Sequence, residues 1–238
     1  MTPTATPPPT RSNKSPRDRV FLMGVSWDDF RRMRHAMRFN RSVRFAFDRG
    51  ELEIMTIGLE HDKDSNFLGH LIEVLTEELG LPLVRGGSVT IGRKRLKRAI
   101  EPDKCYWIGN ATAIAGVKRL DLRIHPPPDL AVEVDVTHSS LDRFGVYAKL
   151  GVVELWRLDG DDLRVRVRSA TGRYDEVPTT PTFPGLDPAE LIPFLREARE
   201  TAYQNEVTRR FREWVRVRFG REAGPVNEPA AGGEPAAG

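Results

Sequence analysis

The sequence predicts an α/β domain with additional helices. Three observations carry that reading. A long helical stripe runs from His61 to Leu79, where Leu68, Leu71, Ile72, Leu75 and Leu79 recur on one face. A strictly alternating strand runs from Asp129 to Thr137. A helix over Leu141 to Leu150 and a further strand over Val152 to Leu158 follow it directly, which is the order of a β-α-β unit. The chain has 238 residues, enough for one substantial domain. We place that domain at 25–219, between disordered tails at 1–24 and 220–238.

The first tail contains Pro7-Pro8-Pro9 followed by basic residues, without the apolar core of a secretory signal. Ser26 then offers a helix cap with an acid three residues on, and Trp27, Phe30, Met33 and Met37 follow at helical spacing. Val43 to Phe47 and Glu51 to Met55 flank Asp48-Arg49-Gly50, a hairpin turn. Gly80 is suited to stop the long helix. Leu83 to Ile91 reads as a strand interrupted by Gly86-Gly87, and a basic loop leads on to Glu101-Pro102-Asp103. Cys105 to Ile108 is short and apolar, as in a buried strand.

Beyond the acidic strand and its helix, ended by Gly151, Gly160-Asp161 and Gly172 turn the chain through strands at Leu163 to Arg168 and Tyr174 to Val177. Asp187-Pro188-Ala189-Glu190 starts the C-terminal helical region, with proline where its missing N–H costs nothing. Pro193 is expected to split that region. Leu195 to Phe219 continues it with Phe211, Trp214, Val215 and Arg218 on neighbouring turns. After Gly220, glycine, alanine, proline and glutamate dominate.

Composition excludes several functions. No apolar run approaches the roughly 18 residues of a membrane-spanning helix, so the expectation is a cytoplasmic protein without a membrane partner. One cysteine, Cys105, rules out a disulfide framework and a multi-cysteine zinc site. A net charge of +3 is a mild bias, but the basic residues cluster at 31–44, 93–98 and 209–221. Such clusters suit phosphates or solvated helix faces. Phosphate-loop, dinucleotide and HExxH motifs are absent. His138, Ser139, Ser140 and Asp142 are too close in sequence to converge as a triad, and Ser139 reads as a helix cap.

The acidic strand holds the chemistry. Side chains alternate faces along a strand, so Leu130, Val132, Val134 and Val136 share an apolar face while Asp129, Glu133 and Asp135 share the other. Same-face neighbours stand about 6.6 Å apart. Carboxylates that close must be protonated, paired with Arg or Lys, or bound to a cation. Asp103, after Pro102 and before the short apolar strand, is the natural further acid. Two or three carboxylates suffice for Mg²⁺, which takes oxygen ligands and keeps several waters.

The segments "EHDKDSNFLGHLIEVLTEELGLPLVRGGSVT", "EPDKCYWIGN" and "PPPDLAVEVDVTHSSLDRFGVYAKLGVVELWRLDG", with the closing "FREWV", resemble the Uma-type family of restriction endonucleases within the PD-(D/E)XK nuclease superfamily. The similarity runs from roughly Asp48 to Trp214. It implies a restriction-endonuclease-like core, with a mixed β-sheet flanked by helices, an N-terminal hairpin and C-terminal helices. It also implies Mg²⁺- or Mn²⁺-dependent hydrolysis of DNA phosphodiesters, with Asp103 and Glu133 as metal ligands and Asp135 and Asp129 assisting. Glu60 and His61 match acidic or histidine positions at the start of the family's first long helix. The superfamily's lysine, two positions after the second acid, is replaced by Asp135, and an alternative lysine position is occupied by Arg143. Arginine holds a phosphate but does not give up a proton near neutral pH. Lys104 and Lys149 are the nearby substitutes. Three readings follow: an endonuclease, for which cutting two strands suits a homodimer; a nuclease fold that has lost cleavage and serves as a DNA-binding or interaction module; and a structural or oligomerising protein whose acids pair with its arginines.

Overall fold

A computed structural model describes residues 19–40, 42–134, 139 and 141–220. Two sheets share an apolar layer. The first has five antiparallel strands in the order β1-β3-β2-β6-β5, comprising Arg19–Leu22, Glu51–Thr56, Val43–Asp48, Arg98–Ile100 and Ile91–Arg93. The second has six strands in the order β11-β10-β9-β8-β7-β4: Tyr174–Val177, Asp162–Arg168, Glu154–Asp159, Leu130–Val134, Lys104–Trp107 and Val84–Arg85. This sheet is mixed, since β8 and β9 run parallel and its other pairs antiparallel. Six helices complete the fold: α1 Trp27–Ala36, α2 Leu59–Leu79, the single turn α3 Ala111–Ile114, α4 Arg143–Leu150, α5 Ile192–Glu200 and α6 Gln204–Arg218.

Local chemistry explains most boundaries. The Asp29 amide donates to the Ser26 hydroxyl, 3.1 Å away, which caps α1. The hairpin turn between β2 and β3 holds Arg49 and Gly50 at φ +49° and +109°, the two positive angles of a tight turn that matches strand twist. Gly80 ends α2 in the left-handed region at φ +66°. A Cβ on Gly86 would meet the Cys105 sulfur at 2.5 Å and the Trp107 ring at 2.6 Å, so the chain can cross the second sheet there only without a side chain.

Three apolar layers follow from strand alternation. Leu130, Val132 and Val134 of β8 pack with α2, α5 and α6 on one side of the six-stranded sheet. Ala131 of β8 and Cys105 of β7 face the opposite way, into a layer shared with Val146, Tyr147 and Leu150 of α4 and with Ala46, Ile91 and Ile100 of the other sheet. The outer face of the five-stranded sheet, Phe45, Phe47 and Ala99, is covered by Phe30 of α1. The acidic face of β8 therefore looks into the space between the two sheets.

Several expectations change. The first tail was drawn to residue 24, but Arg19–Leu22 pairs with β3; residues 1–18 and 221–238 lie outside the described residues. The expected hairpin is the middle of a larger sheet. The expected strand at 83–91 divides between the two sheets, because Gly86 and Gly87 carry the chain across from β4 to β5. The expected basic loop after it is a β-hairpin closed by a single 3-10 turn at Lys94–Leu96. Asp142, rather than Ser139, caps α4, accepting from the Gly145 amide at 2.9 Å. Pro193 sits in the first turn of α5 and does not split the helical region; the break comes between α5 and α6, after Glu200.

Candidate active site

β7 and β8 pair with Cys105 opposite Ala131 and Lys104 opposite Val132, and the next step of that register sets Asp103 opposite Glu133. Cross-strand neighbours on one face have Cβ atoms about 5 Å apart. Both acids are buried, at 2% and 3% exposure.

Each is held by one oxygen. Asp103 Oδ2 accepts from the Val134 amide at 2.9 Å and lies 3.2 Å from His61 Nε2, in the first turn of α2. Its Oδ1 lies 3.8 Å from Arg44 Nε on β2. Glu133 Oε1 accepts from Arg143 Nη2 at 2.6 Å and from the Tyr147 hydroxyl, both on α4. Helical spacing of four residues stacks Arg143 and Tyr147 on one side of the helix, so both meet the same oxygen. The second arm of Arg143 reaches Glu53 Oε1 on β3 at 3.2 Å, and Glu53 Oε2 accepts from Ser139 at 2.7 Å with Arg19 3.5 Å away.

The remaining oxygens distinguish this pair. Among the described residues five carboxylates are buried: Glu53, Glu101, Asp103, Glu133 and Glu154. Glu154 has both oxygens bonded, to Trp156, Thr180 and Thr182 at 2.6 to 3.1 Å. Glu101 is likewise satisfied by Arg34, Thr90 and the Phe45 amide. Only Asp103 Oδ1 and Glu133 Oε2 accept no hydrogen bond among the described residues. Buried polar atoms are normally bonded, so two open oxygens on facing acids call for a function.

Electrostatics sets the two acids apart. Burial drives the Glu133 carboxyl above its ordinary range, and the negative charge of Asp103 adds to this against the pull of Arg143. Burial also acts on Asp103, but the His61 contact, the Val134 amide and Arg44 hold its carboxyl below the ordinary value. A hollow of about 260 Å³, lined in part by Glu133, Arg143, Tyr147, Ser139 and Arg157, gives access to Glu133 from outside.

The profile of the Uma2 family, described as "Putative restriction endonuclease", matches residues 27–218. The chain belongs to the Uma2 family. That span covers nearly all described elements, and the mixed sheet flanked by helices is the restriction-endonuclease-like fold. Uma2 membership makes nuclease function the family's suggestion for this chain. No curated protein matches it significantly.

The structure sets Asp103 with His61 and Glu133 with Arg143 at facing positions of β7 and β8. Asp135 lies outside the described residues. Asp129 is elsewhere, accepting from the Ile108 and Asn110 amides and the Asn110 side chain, which ties the turn after β7. Glu60 is exposed at the opposite side of the α2 turn from His61. Neither substitute lysine reaches the centre. Lys104 points to the other face of β7, where it bonds Asn66 at 2.6 Å, and Lys149 is exposed. Arg143, expected on a phosphate, spends its guanidinium on Glu133 and Glu53. Glu53, Arg44 and the Tyr147 hydroxyl were not expected at this centre. The one available signal for Glu53 was alternation: it shares the face of β3 opposite to Leu52 and Ile54.

The donor set fits a divalent cation. Two carboxylate oxygens with no competing hydrogen bond are hard ligands of the type Mg²⁺ and Mn²⁺ prefer, and Mg²⁺ completes its shell with water and phosphate oxygens. No group of three or more His, Cys, Asp or Glu side chains converges on a single point among the described residues, so water would fill the remaining positions.

Proposed function

We propose that this Uma2-family chain is a Mg²⁺- or Mn²⁺-dependent DNA endonuclease whose metal ligands are Asp103 Oδ1 and Glu133 Oε2. The observation that carries the reading is that, among the described residues, these are the two unbonded oxygens of the five buried carboxylates. A bound ion there supplies an acidified water and neutralises charge on the phosphate. The chain's own residues do the positioning. Arg143 and Tyr147 clamp Glu133 Oε1, which leaves Oε2 to be aimed. His61 and the Val134 amide do the same for Asp103 by holding Oδ2. Arg143 stays charged near neutral pH and cannot serve as a base, so proton removal falls to water or the phosphate itself.

Purified protein incubated with supercoiled plasmid and Mg²⁺ or Mn²⁺ is expected to nick it, and Glu133→Gln is expected to abolish nicking. Nicking unchanged by Glu133→Gln would overturn the assignment. Calorimetric titration with Mn²⁺ is expected to give a binding isotherm that Asp103→Ala removes.

A second reading has one observation in its favour. The Arg143 guanidinium, 2.6 Å from Glu133 and 3.2 Å from Glu53, already neutralises this centre, and no lysine accompanies it. A nuclease fold that binds DNA without cutting would show DNA binding, no nicking and no heat on metal titration.

A further inference from the structure

The three basic clusters of the sequence meet different fates in the fold. On α6, Arg212 and Arg216 pair with Glu78, Arg218 with Glu190 and Arg210 with Glu197, so these four cations already have acidic partners within the molecule. The other two clusters face each other across a hollow. Arg31 and Arg34 of α1 form one wall, Arg93, Lys94 and Arg95 of the β5–β6 hairpin a second, and Lys118, Arg119 and Arg123 a third. Two adjoining cavities of about 410 and 1100 Å³ make up this groove, joined through Trp27, Arg31, Gly92, Arg119 and Leu120.

Eight Arg and Lys side chains line the groove, against one acid, Asp121. Arg34, Lys94 and Arg123 have acidic partners in Glu101, Asp28 and Asp121. The side chains of Arg31, Arg95, Lys118 and Arg119 make no ion pair or hydrogen bond among the described residues, and all four residues are exposed. Repulsion among unpaired cations on facing walls costs free energy unless a polyanion offsets it. The half-buried Trp27 ring packs on Phe30 and Phe47, at 5.3 and 5.7 Å, and its remaining surface lines the groove, where stacking on a base would be indifferent to sequence. The groove thus presents charge without a means of reading sequence.

We propose that this groove binds the phosphate backbone of DNA, independently of sequence, as an anchoring site separate from the acidic centre. The separation follows from the linings: the hollow at Glu133, Arg143 and Tyr147 shares no residue with either cavity of the groove. A concave channel admits a ridge of phosphates, while a flat anionic bilayer reaches only its rim. The inference takes DNA as polymer from the proposed function and requires no cleavage.

Fluorescence anisotropy of a labelled duplex, in EDTA and over a range of salt, tests it. The triple variant Arg95→Gln, Lys118→Gln, Arg119→Gln is expected to bind at least about tenfold more weakly at low salt. Its slope of log affinity against log salt should fall by about 2.7, at 0.9 per phosphate contact. Arg164→Gln, which removes a cation paired with Asp162, is expected to leave affinity and slope unchanged. Thermal melts of each variant check folding. Wild-type affinity and slope in the triple variant would overturn the proposal, as would absence of duplex binding in EDTA or binding of phosphatidylserine vesicles in preference to duplex. Glu133→Gln separates the two readings: nicking depends on that residue, whereas anisotropy in EDTA does not.

Discussion

Arg143 joins acids from both sheets, since Glu133 lies on β8 and Glu53 on β3. Removing one partner of a buried charge group is costly because it leaves the other charges uncompensated. Arg143→Ala is therefore expected to lower stability by about 3–5 kcal/mol in urea unfolding. The loss should depend on pH in a definite sense. Glu133 already has a raised carboxyl, and Arg143 is a cause that lowers it, so the variant raises it further. A raised acid contributes its stability fully below the unfolded value near 4.5 and loses it as pH climbs through the folded value. The deficit of Arg143→Ala relative to wild type is thus expected to be smallest in acid and to grow above that range. At this scale the sequence was legible where alternation alone decided the face, as for Asp103 and Glu133. It was silent on Glu53, whose burial depends on the two sheets meeting.

Among the elements, α6 is held mostly by charge on one side and by Val207, Phe211 and Val215 on the other. Glu78 at the end of α2 accepts from Arg212 at 2.5 Å and from Arg216 at 2.8 Å. Its burial works to raise the carboxyl, but the two arginines prevail and hold it below 4.5. A lowered acid gives stability above its unfolded value and loses it as pH falls through the folded one. Amide exchange in α6 is expected to accelerate relative to β8 as pH drops below about 4.5, and Glu78→Gln should produce the same acceleration at neutral pH. No acceleration in either case would mean that the apolar face alone secures the helix. Elements with their own caps, α1 and α2 among them, were readable in advance. The stretch 83–98 was not, because β4 and β5 are too short to show a period and their division between sheets rests on the chain passing Cys105 and Trp107 at Gly86.

For the whole molecule, sequence reading reached the α/β class and the β-α-β unit that carries Glu133, yet missed the five-stranded sheet as a unit. Its strands come from three places, residues 19–22, 43–56 and 91–100, and only the middle one has a hairpin signature. Antiparallel pairing between segments so far apart is a tertiary event that local propensity does not encode. The first of these segments has a consequence of its own. β1 occupies the outer edge of β3, and Met23 follows it immediately. A chain begun at Met23 would leave a row of unpaired amides and carbonyls along β3, the kind of template onto which another molecule adds a strand. It would also withdraw Arg19 from Glu53. Size-exclusion chromatography with light scattering is expected to show such a truncated protein self-associating under conditions in which the full chain stays dispersed.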